Sequence, residues 1–260
     1  MYPYIDIFGR QVGTYGICML VGFFLAGFLA LRRGKPMGFR IEDLLIVAAM
    51  AFGLALFCGG LLYILVTYSM EQIIQFIKNG DFRFLGSGIV FYGGLIGGVA
   101  GALLGARVAK CDLKTVEHSV VPFVPLGHAI GRIGCVMGGC CHGFPYEGPF
   151  ALYYPNSLTG LPPDQGYFPV QPLESLINVG ICLLLLWLSK KTKRTTGLLA
   201  WYLCFYAVAR FFLEMLRGDS IRGLFNGLST SQYISIGLLA ACGLRLLVLH
   251  LYDKRKAAKA

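Results

Sequence analysis

Long apolar stretches decide what this chain can fold into. A helix needs about 20 mostly apolar residues to cross a lipid bilayer, and seven stretches of the sequence meet or approach that length. They are residues 13–31, 43–66, 88–109, 118–137, 173–189, 197–216 and 231–250. Glycine interrupts the third stretch and proline the fourth, so these two are the weakest. The pattern predicts an all-α, polytopic membrane protein with about seven transmembrane helices, in which residues 1–260 form a single integral membrane domain.

The composition agrees with a membrane protein and argues against a nucleic-acid partner. Apolar residues make up 56% of the chain and charged residues only 14%, which leaves few charges to cover a water-soluble surface. The net charge of +10 comes from short basic clusters between apolar stretches, as anionic lipid favours, and not from a basic patch interleaved with aromatic residues. We expect the membrane itself as a partner, no nucleic acid, no cofactor and no metal.

The basic residues also predict an orientation. Of the 23 Lys and Arg residues, 20 lie in loops and termini, and fifteen of these fall on one side of the predicted spans. Because Lys and Arg accumulate in cytoplasmic loops, we expect an extracellular amino terminus and a cytoplasmic carboxyl terminus. Residues 1–10 show no basic region before an apolar core, so the first span is expected to direct insertion into the cell inner (plasma) membrane.

Two segments of the outer face have character of their own. Met70, Ile73, Ile74 and Ile77 recur at helical spacing between polar residues, which predicts an amphipathic helix on the outer membrane surface. The loop 143–172 is rich in Pro, Gly and Tyr, which favours an ordered extracellular or periplasmic arm.

One arginine lies inside an apolar stretch and marks the candidate functional segment, residues 131–143. A guanidinium in hydrocarbon is costly, so an intramembrane arginine indicates a functional site. His128, Arg132 and Cys135 are spaced by four and three residues, which places them on one helical face. The alternative is that Arg132 extends to the membrane surface and that His128 is an ordinary core histidine.

A second set of charges lies in the sixth stretch. Arg210, Glu214 and Arg217 are spaced by four and three residues, and we expect Arg210 and Glu214 to form a structural ion pair. Arg217 falls at the outer end, near the depth at which the Arg132 segment emerges. Two guanidiniums that converge there would repel each other unless an anion lay between them, and phosphate matches the geometry of the arginine fork.

Further polar or glycine-rich positions lie at the outer level of other spans. Gly93 and Gly94 open the third stretch and permit either close helix contact or a broken helix whose amides face an anion. Gln171 and Glu174 lie at the start of the fifth stretch. Tyr15, in the first stretch, is either a site residue or a member of the interfacial aromatic belt.

The nine cysteines divide into two groups. Six are scattered singly, most of them in apolar stretches, and do not form a disulfide framework. Cys135, Cys140 and Cys141 lie close together and are followed by His142, so they are candidate reactive thiols. Thiolate and imidazole are metal-ligand types, but this spacing matches no established zinc pattern.

Together these motifs resemble the prolipoprotein diacylglyceryl transferase family over almost the whole chain. The resemblance rests on residues 15–16, 91–97, 131–134, 171–174 and 210–217. It implies an enzyme that moves diacylglyceryl from phosphatidylglycerol to a cysteine thiol of a lipoprotein precursor, without a cofactor. It also implies that Arg132 and Arg217 are catalytic and bind the lipid phosphate.

The chain departs from the family pattern at several polar positions. Cys135 and Gly138 stand where the family signature has asparagines, and Cys140 stands where it has a glutamate. The family histidine before Gly-Gly, a candidate base, is Tyr92 here, and a second histidine is replaced by Phe168. The phosphate-binding arginines are kept, whereas much of the polar shell and the expected base are lost.

Two classes of function follow. In the family reaction Tyr92, His128 or His142 serves as base, while Tyr15, Gly93, Gly94, Gln171 and Glu174 help Arg132 and Arg217 bind the lipid. In the alternative, the same scaffold carries a thiol-dependent function, in which Cys135, Cys140 or Cys141 accepts a lipid, forms a redox pair or binds a metal. The family reaction is the primary prediction.

Overall fold

The computed structural model describes residues 2–81, 88, 90–191, 197–218, 224–225 and 227–257. The helices of these residues, in chain order, are α1 (Thr14–Gly34), α2 (Ile41–Thr67), α3 (Met70–Lys78), α4 (Phe91–Val108), α5 (Leu113–Val120), α6 (Val124–Gly138), α7 (Val170–Lys191), α8 (Leu198–Glu214) and α9 (Thr230–Ala257). A helix lies at each of the seven predicted spans, with α5 and α6 together forming the fourth. The prediction of an all-α, polytopic membrane protein is confirmed.

The lengths of the spans differ from the expectation in one respect. Among the described residues, five helical segments are long and apolar enough to cross a membrane: Thr14–Met37, Ile41–Thr67, Leu113–Gly138, Val170–Lys190 and Thr230–Leu249. The shorter ones are the third, α4, and the sixth, α8, whereas we expected the third and the fourth to be weakest. The fourth span tolerates its prolines because Pro122 and Pro125 begin new helical segments, where no backbone N–H is needed.

The chain divides into two compact units, one formed by Met1–Arg33 with Glu117–Ala260 and the other by Gly34–Val116. In the second unit, α4 packs closely on α2 through glycines at every fourth position: Gly93, Gly97, Gly101 and Gly105. A Cβ at any of them would press on the backbone of α2, so only glycine permits this approach. This packing accounts for the glycine richness of the third span.

The predicted amphipathic helix is α3, and it belongs to the same unit. Ser69 caps it, since its Oγ accepts the N–H of Gln72 at 3.3 Å and its own N–H donates to Gln72 Oε1 at 3.0 Å. Its apolar residues Met70, Ile74 and Ile77 are exposed, as a helix resting on a membrane surface requires. The helix is confirmed, and its place on the outer surface stays a prediction.

In the first unit, helices gather around α6 and α7. α1 crosses α6 where Gly22 meets Gly127, and Gly134 of α6 lies against Tyr15 and Cys18 of α1. α7 and α8 share an apolar core with the turn before α6, formed by Val121, Ile181, Leu185, Leu198 and Tyr202. These contacts fix the positions of the polar residues on α6, α7 and α8.

Short antiparallel strand pairs lie before α1, between α6 and α7, and between α8 and α9. They are β1 (Tyr4–Ile7) with β2 (Arg10–Gly13), β3 (Leu152–Tyr153) with β4 (Gly166–Tyr167), and β5 (Leu224–Phe225) with β6 (Leu228–Ser229). The β3–β4 pair lies in the loop between α6 and α7, which shows that the Pro-, Gly- and Tyr-rich arm is ordered.

Candidate active site

The centre of the site is an ion pair between two helices. Arg132 of α6 and Glu174 of α7 are joined by Nη2 and Oε1 at 2.9 Å. Only 2% of the Glu174 side chain and 13% of the Arg132 side chain are exposed. A carboxylate and a guanidinium so deeply buried are stable only as partners, because either charge alone would be costly to remove from water.

Two more side chains surround the same carboxylate oxygen. The hydroxyl of Tyr206 donates to Glu174 Oε1 at 3.5 Å, and His128 Nε2 lies 3.6 Å from that oxygen. The rings of His128 and Tyr206 are in contact, with centroids 5.2 Å apart. The carboxylate of Glu174 is therefore the point at which His128 and Arg132 of α6 meet Tyr206 of α8.

The other guanidinium nitrogens of Arg132 are not equally satisfied. Nη1 donates to Cys135 Sγ at 3.9 Å, one helical turn further along α6. Nε is buried and has no hydrogen-bond partner among the described residues. This guanidinium therefore retains donor capacity for a further acceptor.

The cysteines lie where α6 ends and the chain turns sharply. Gly139 adopts a left-handed conformation, φ 66°, and the N–H of Cys140 donates back to the carbonyl of Cys135 at 3.1 Å. Cys141 is also left-handed, with φ 58°, which is uncommon for a residue with a side chain. The ligand atoms of Cys135, Cys140 and Cys141, here called the three-cysteine cluster, all lie within 4.8 Å of one another.

The loop after α6 is anchored from two directions. Gln171 Nε2 donates to the carbonyl of Cys140 at 2.9 Å, and Gln171 Oε1 accepts the hydroxyl of Tyr154 at 3.2 Å. Ser157 and Thr159 both donate to the carbonyl of Gly139, at 2.9 and 3.0 Å. The backbone of the cysteine-bearing turn is thus fixed by side chains from the arm and from α7.

The electrostatics of the turn single out one thiol. Hydrogen bonds from Cys135 and Cys140, with the positive charges of Arg217 and Arg132, hold the pKa of Cys141 below its ordinary value. The pKa of Cys140 is raised, because its hydrogen bonds to Cys135 and Cys141 favour the protonated thiol. Both predicted phosphate-binding arginines, Arg132 and Arg217, lie close enough to lower the pKa of Cys141.

Arg217 is placed by a backbone pairing just beyond α8. Gly143 and Arg217 form an antiparallel bridge, and the N–H of Gly218 donates to the carbonyl of His142 at 3.1 Å. Glycine is required at the crossing, since a Cβ on Gly143 would press on the carbonyls of Phe168 and Leu216. The structure thus links the end of α8 directly to the turn that follows α6.

His142 lies at this crossing. Its Nδ1 is 2.8 Å from the carbonyl of Gly143, which can only accept, so Nδ1 carries the hydrogen. Its ring lies edge-on to Tyr167, with centroids 4.8 Å apart. In the neutral ring Nε2 is then the basic nitrogen.

The predicted structural pair of α8 is confirmed. Arg210 and Glu214 form an ion pair along the helix, and Arg210 also reaches Ser231 of α9 at 3.5 Å. The pair lies on the same helical face as Tyr206, four residues earlier.

The remaining predicted residues are placed as follows. Tyr15 packs on Gly134, next to Cys135 in the chain, and is half exposed. Gly93 touches the carbonyl of Cys58 in α2, so helix packing already explains this glycine, and Gly94 makes an ordinary contact with Ala55. The side chain of Tyr92 lies outside the described residues. Roles of all these residues in substrate binding or catalysis stay predictions.

Two residues of the site were missed by the sequence reasoning. Tyr206 could have been found, because it lies four residues before Arg210 and eight before Glu214, on their helical face. Tyr154 had no local signal, since it lies in the arm and only the fold brings it to Gln171. Its burial is almost complete and raises its pKa to about 12, so it acts as a neutral hydrogen-bond donor.

Fold and site together define a class of protein. It is a polytopic helical membrane protein with a buried arginine–glutamate pair between two spans. The turn after the first of these spans carries a group of thiols and pairs with a second arginine, Arg217. The chain belongs to the prolipoprotein diacylglyceryl transferase family, whose model matches residues 4–249.

Its relatives carry the same description. A phosphatidylglycerol–prolipoprotein diacylglyceryl transferase 2 of Clostridium perfringens is 33% identical over 235 residues, covering 90% of each chain. The corresponding transferase of Clostridium tetani is 33% identical over 232 residues, 89% of this chain and 90% of that one. A third, from Clostridioides difficile, is 28% identical and covers 96% of this chain and 94% of its own. The resemblance inferred from the motifs is confirmed.

Proposed function

We propose that this chain transfers the diacylglyceryl group of phosphatidylglycerol to the cysteine thiol of a lipoprotein precursor. The names of the relatives, which align with about nine-tenths of the chain, support this substrate pair. The single observation that carries the proposal is the guanidinium of Arg132, buried within a membrane span with Nε left without a partner among the described residues. A lipid phosphate supplies the acceptor that such a donor needs.

Arg132 and Arg217 act on the same phosphate in this proposal. Both guanidiniums exert their charge on Cys141, so the two cations converge on one small region at the end of α6. Arginine forks match phosphate oxygens in a bidentate manner, and fixed cations stabilise the charge that develops on the departing glycerol phosphate. Glu174 holds Arg132 in position and offsets part of its charge.

The chemical step is a displacement at carbon. The sulfur of the acceptor attacks the glyceryl carbon that bears the phosphate, the C–O bond breaks, and its electron pair leaves on glycerol phosphate. The thiol proton has to be removed, and His142 is the favoured acceptor among Tyr92, His128 and His142. Its Nδ1 hydrogen bond to Gly143 leaves Nε2 basic, and His142 directly follows Cys141.

We place the protein in the bacterial inner membrane, with the amino terminus outside and the carboxyl terminus in the cytoplasm. The asymmetry of Lys and Arg supports this orientation. It puts the turn after α6, the arm and the Gly143–Arg217 pairing on the outer side, where lipoprotein precursors emerge from the membrane.

The direct test uses the purified full chain in nanodiscs that contain phosphatidylglycerol, with a lipoprotein-precursor peptide that bears one cysteine. Mass spectrometry should show a diacylglyceryl thioether on the peptide and release of glycerol phosphate. Arg132→Lys and Arg217→Lys keep the charge but lose the fork, at about 1.5–3 kcal/mol per charge-assisted hydrogen bond. We expect the rate to fall about ten- to a hundredfold for each lost bond.

Arg107→Lys is the matched control, because Arg107 is an exposed arginine in the last turn of α4, is not among the proposed site residues and should retain the full rate. A wild-type chain that modifies no peptide and does not support growth of a strain depleted of its own transferase would refute the proposal. Equal rates for wild type, Arg132→Lys and Arg217→Lys would refute the role of the two forks.

A further inference from the structure

Three thiols converge beside the proposed phosphate site, and the family reaction as described does not use them. Cys135 is buried at the end of α6, while Cys140 and Cys141 are partly exposed in the turn that follows. Neighbouring side chains in an extended chain point to opposite sides. The left-handed backbone at Gly139 and Cys141 overcomes this and brings both adjacent sulfurs to Cys135.

The spacing of these sulfurs suits one metal ion. A tetrahedral zinc ion with Zn–S bonds of about 2.3 Å holds its sulfurs roughly 3.8 Å apart. The sulfurs of the three-cysteine cluster already lie within 4.8 Å of one another, so binding needs a closure of no more than about 1 Å. Three protein ligands leave the fourth zinc position open, which is the arrangement of catalytic rather than structural zinc sites.

The surrounding charges also suit such a centre. Three thiolates and one Zn²⁺ carry a net charge of −1, and a fourth thiolate makes it −2. Arg132 donates to Cys135 Sγ at 3.9 Å, and the backbone of Arg217 pairs with Gly143, two residues after Cys141. Hydrogen bonds to ligating sulfurs and nearby cations stabilise a thiolate-rich metal centre. The carbonyl of Cys140 is fixed by Gln171, which holds the ligand-bearing turn in place.

We propose that Cys135, Cys140 and Cys141 bind a zinc ion whose fourth position takes the thiol of the acceptor, so that zinc and not a histidine generates the attacking thiolate. This inference rests on the proposed transferase function, and it revises both our expectation that the chain binds no metal and the role of His142 as the acceptor of the thiol proton. It explains why the position of the family base can be Tyr92. A thiol bound to zinc is deprotonated outright, so no strong base is needed next to it.

The step balances as follows. The acceptor thiol displaces a water molecule from zinc and releases its proton to solvent. Its sulfur then forms a bond to the glyceryl carbon, and the C–O bond to the phosphate breaks, with the electron pair leaving on glycerol phosphate. The thioether product is a weaker zinc ligand than the thiolate, so water replaces it. No redox partner is required.

Zinc content is the first measurement. The purified full chain, stripped with a chelator and supplied with zinc, should hold one zinc per chain. Cys140→Ser and Cys141→Ser should each weaken zinc binding at least about a hundredfold, since each removes a direct ligand. Cys204→Ser changes a cysteine of α8 outside the cluster and should bind zinc as the wild type does.

Cobalt spectra of the unaltered chain provide a readout that needs no variant. Co²⁺ in the site should show tetrahedral d–d bands and a thiolate-to-cobalt charge-transfer band. Adding the cysteine peptide should raise the charge-transfer band by about a third, as the thiolates increase from three to four. The same peptide with serine in place of cysteine should leave the spectrum unchanged.

Several results would overturn the zinc proposal. They are a zinc content well below one ion per chain, a cobalt spectrum that does not change when the cysteine peptide is added, or a disulfide between two of the three cysteines in the purified chain. Full transfer by the metal-free chain would also refute it, while leaving the transferase function intact. Stoichiometric zinc and thiol binding without any diacylglyceryl transfer would support the zinc site and refute the transferase function instead.

Discussion

Replacing Glu174 by Gln should destabilise this protein more than any surface change. The substitution keeps the size and a hydrogen-bonding oxygen but removes the negative charge that lies 2.9 Å from the buried Arg132. Removing one partner of a buried ion pair costs about 3–5 kcal/mol, because the other charge stays buried without compensation. For a chain of this size each kcal/mol lowers Tm by about 2–4 °C, so the expected drop is about 6–20 °C.

The double variant Arg132→Met, Glu174→Met tests the cause of that loss. With both charges gone, most of the stability should return, although transferase activity should not. Thermal unfolding in one detergent, followed by size-exclusion chromatography, measures both variants. Glu42→Gln removes a carboxylate that is 64% exposed and should change the free energy of unfolding by no more than about 0.5 kcal/mol.

Two results would contradict this prediction: Glu174→Gln as stable as the wild type, or a double variant no more stable than the single one. The first result would mean that Arg132 finds another counter-charge. The second would mean that the site needs these side chains for packing rather than for their charges.

Three shorter predictions test other parts of the structure. In the zinc-free chain, Cys141 should react with a small alkylating agent faster than the buried Cys182, and phosphatidylglycerol should slow this reaction. Mass mapping with and without lipid measures the rates, and equal rates for the two cysteines would contradict the prediction. Gly143→Ala should lower the free energy of unfolding by about 1–3 kcal/mol and displace Arg217, because the added Cβ has no room. Gly180→Ala adds a Cβ in open space and should lower the free energy of unfolding less. Thermal unfolding of both variants measures the difference. Reporter fusions should place the two termini on opposite sides of the membrane, and a cytoplasmic amino terminus would contradict the predicted orientation.

Features that depend on spacing along one helix could be predicted from the sequence. The Arg210–Glu214 pair follows from a separation of four residues, and the structure has it. The grouping of His128, Arg132 and Cys135 also follows from their spacing, and the first two meet at Glu174 while Arg132 contacts Cys135. The presence of helix at each of the seven predicted spans follows from apolar length alone.

Features that depend on packing between elements could not be predicted in the same way. Glu174 lies 42 residues after Arg132, and no local pattern says that the two meet. The contact of Tyr154 with Gln171 requires the folded arm, and the pairing of Gly143 with Arg217 requires the end of α8 to return to α6. The convergence of three sulfurs depends on left-handed backbone at Cys141, a residue type that gives no sign of that conformation.

The separation of Arg132 and Glu174 along the chain has a consequence for biogenesis. At a synthesis rate of about 5–20 residues per second, the arginine leaves the ribosome roughly 2–8 seconds before its carboxylate partner. A lone arginine costs at most about 2.5–3.5 kcal/mol during insertion, the value for the centre of a span, and Arg132 lies six residues before the end of α6. The fourth span is therefore expected to wait beside the translocon until α7 arrives, so that both helices enter the lipid as one neutralised hairpin.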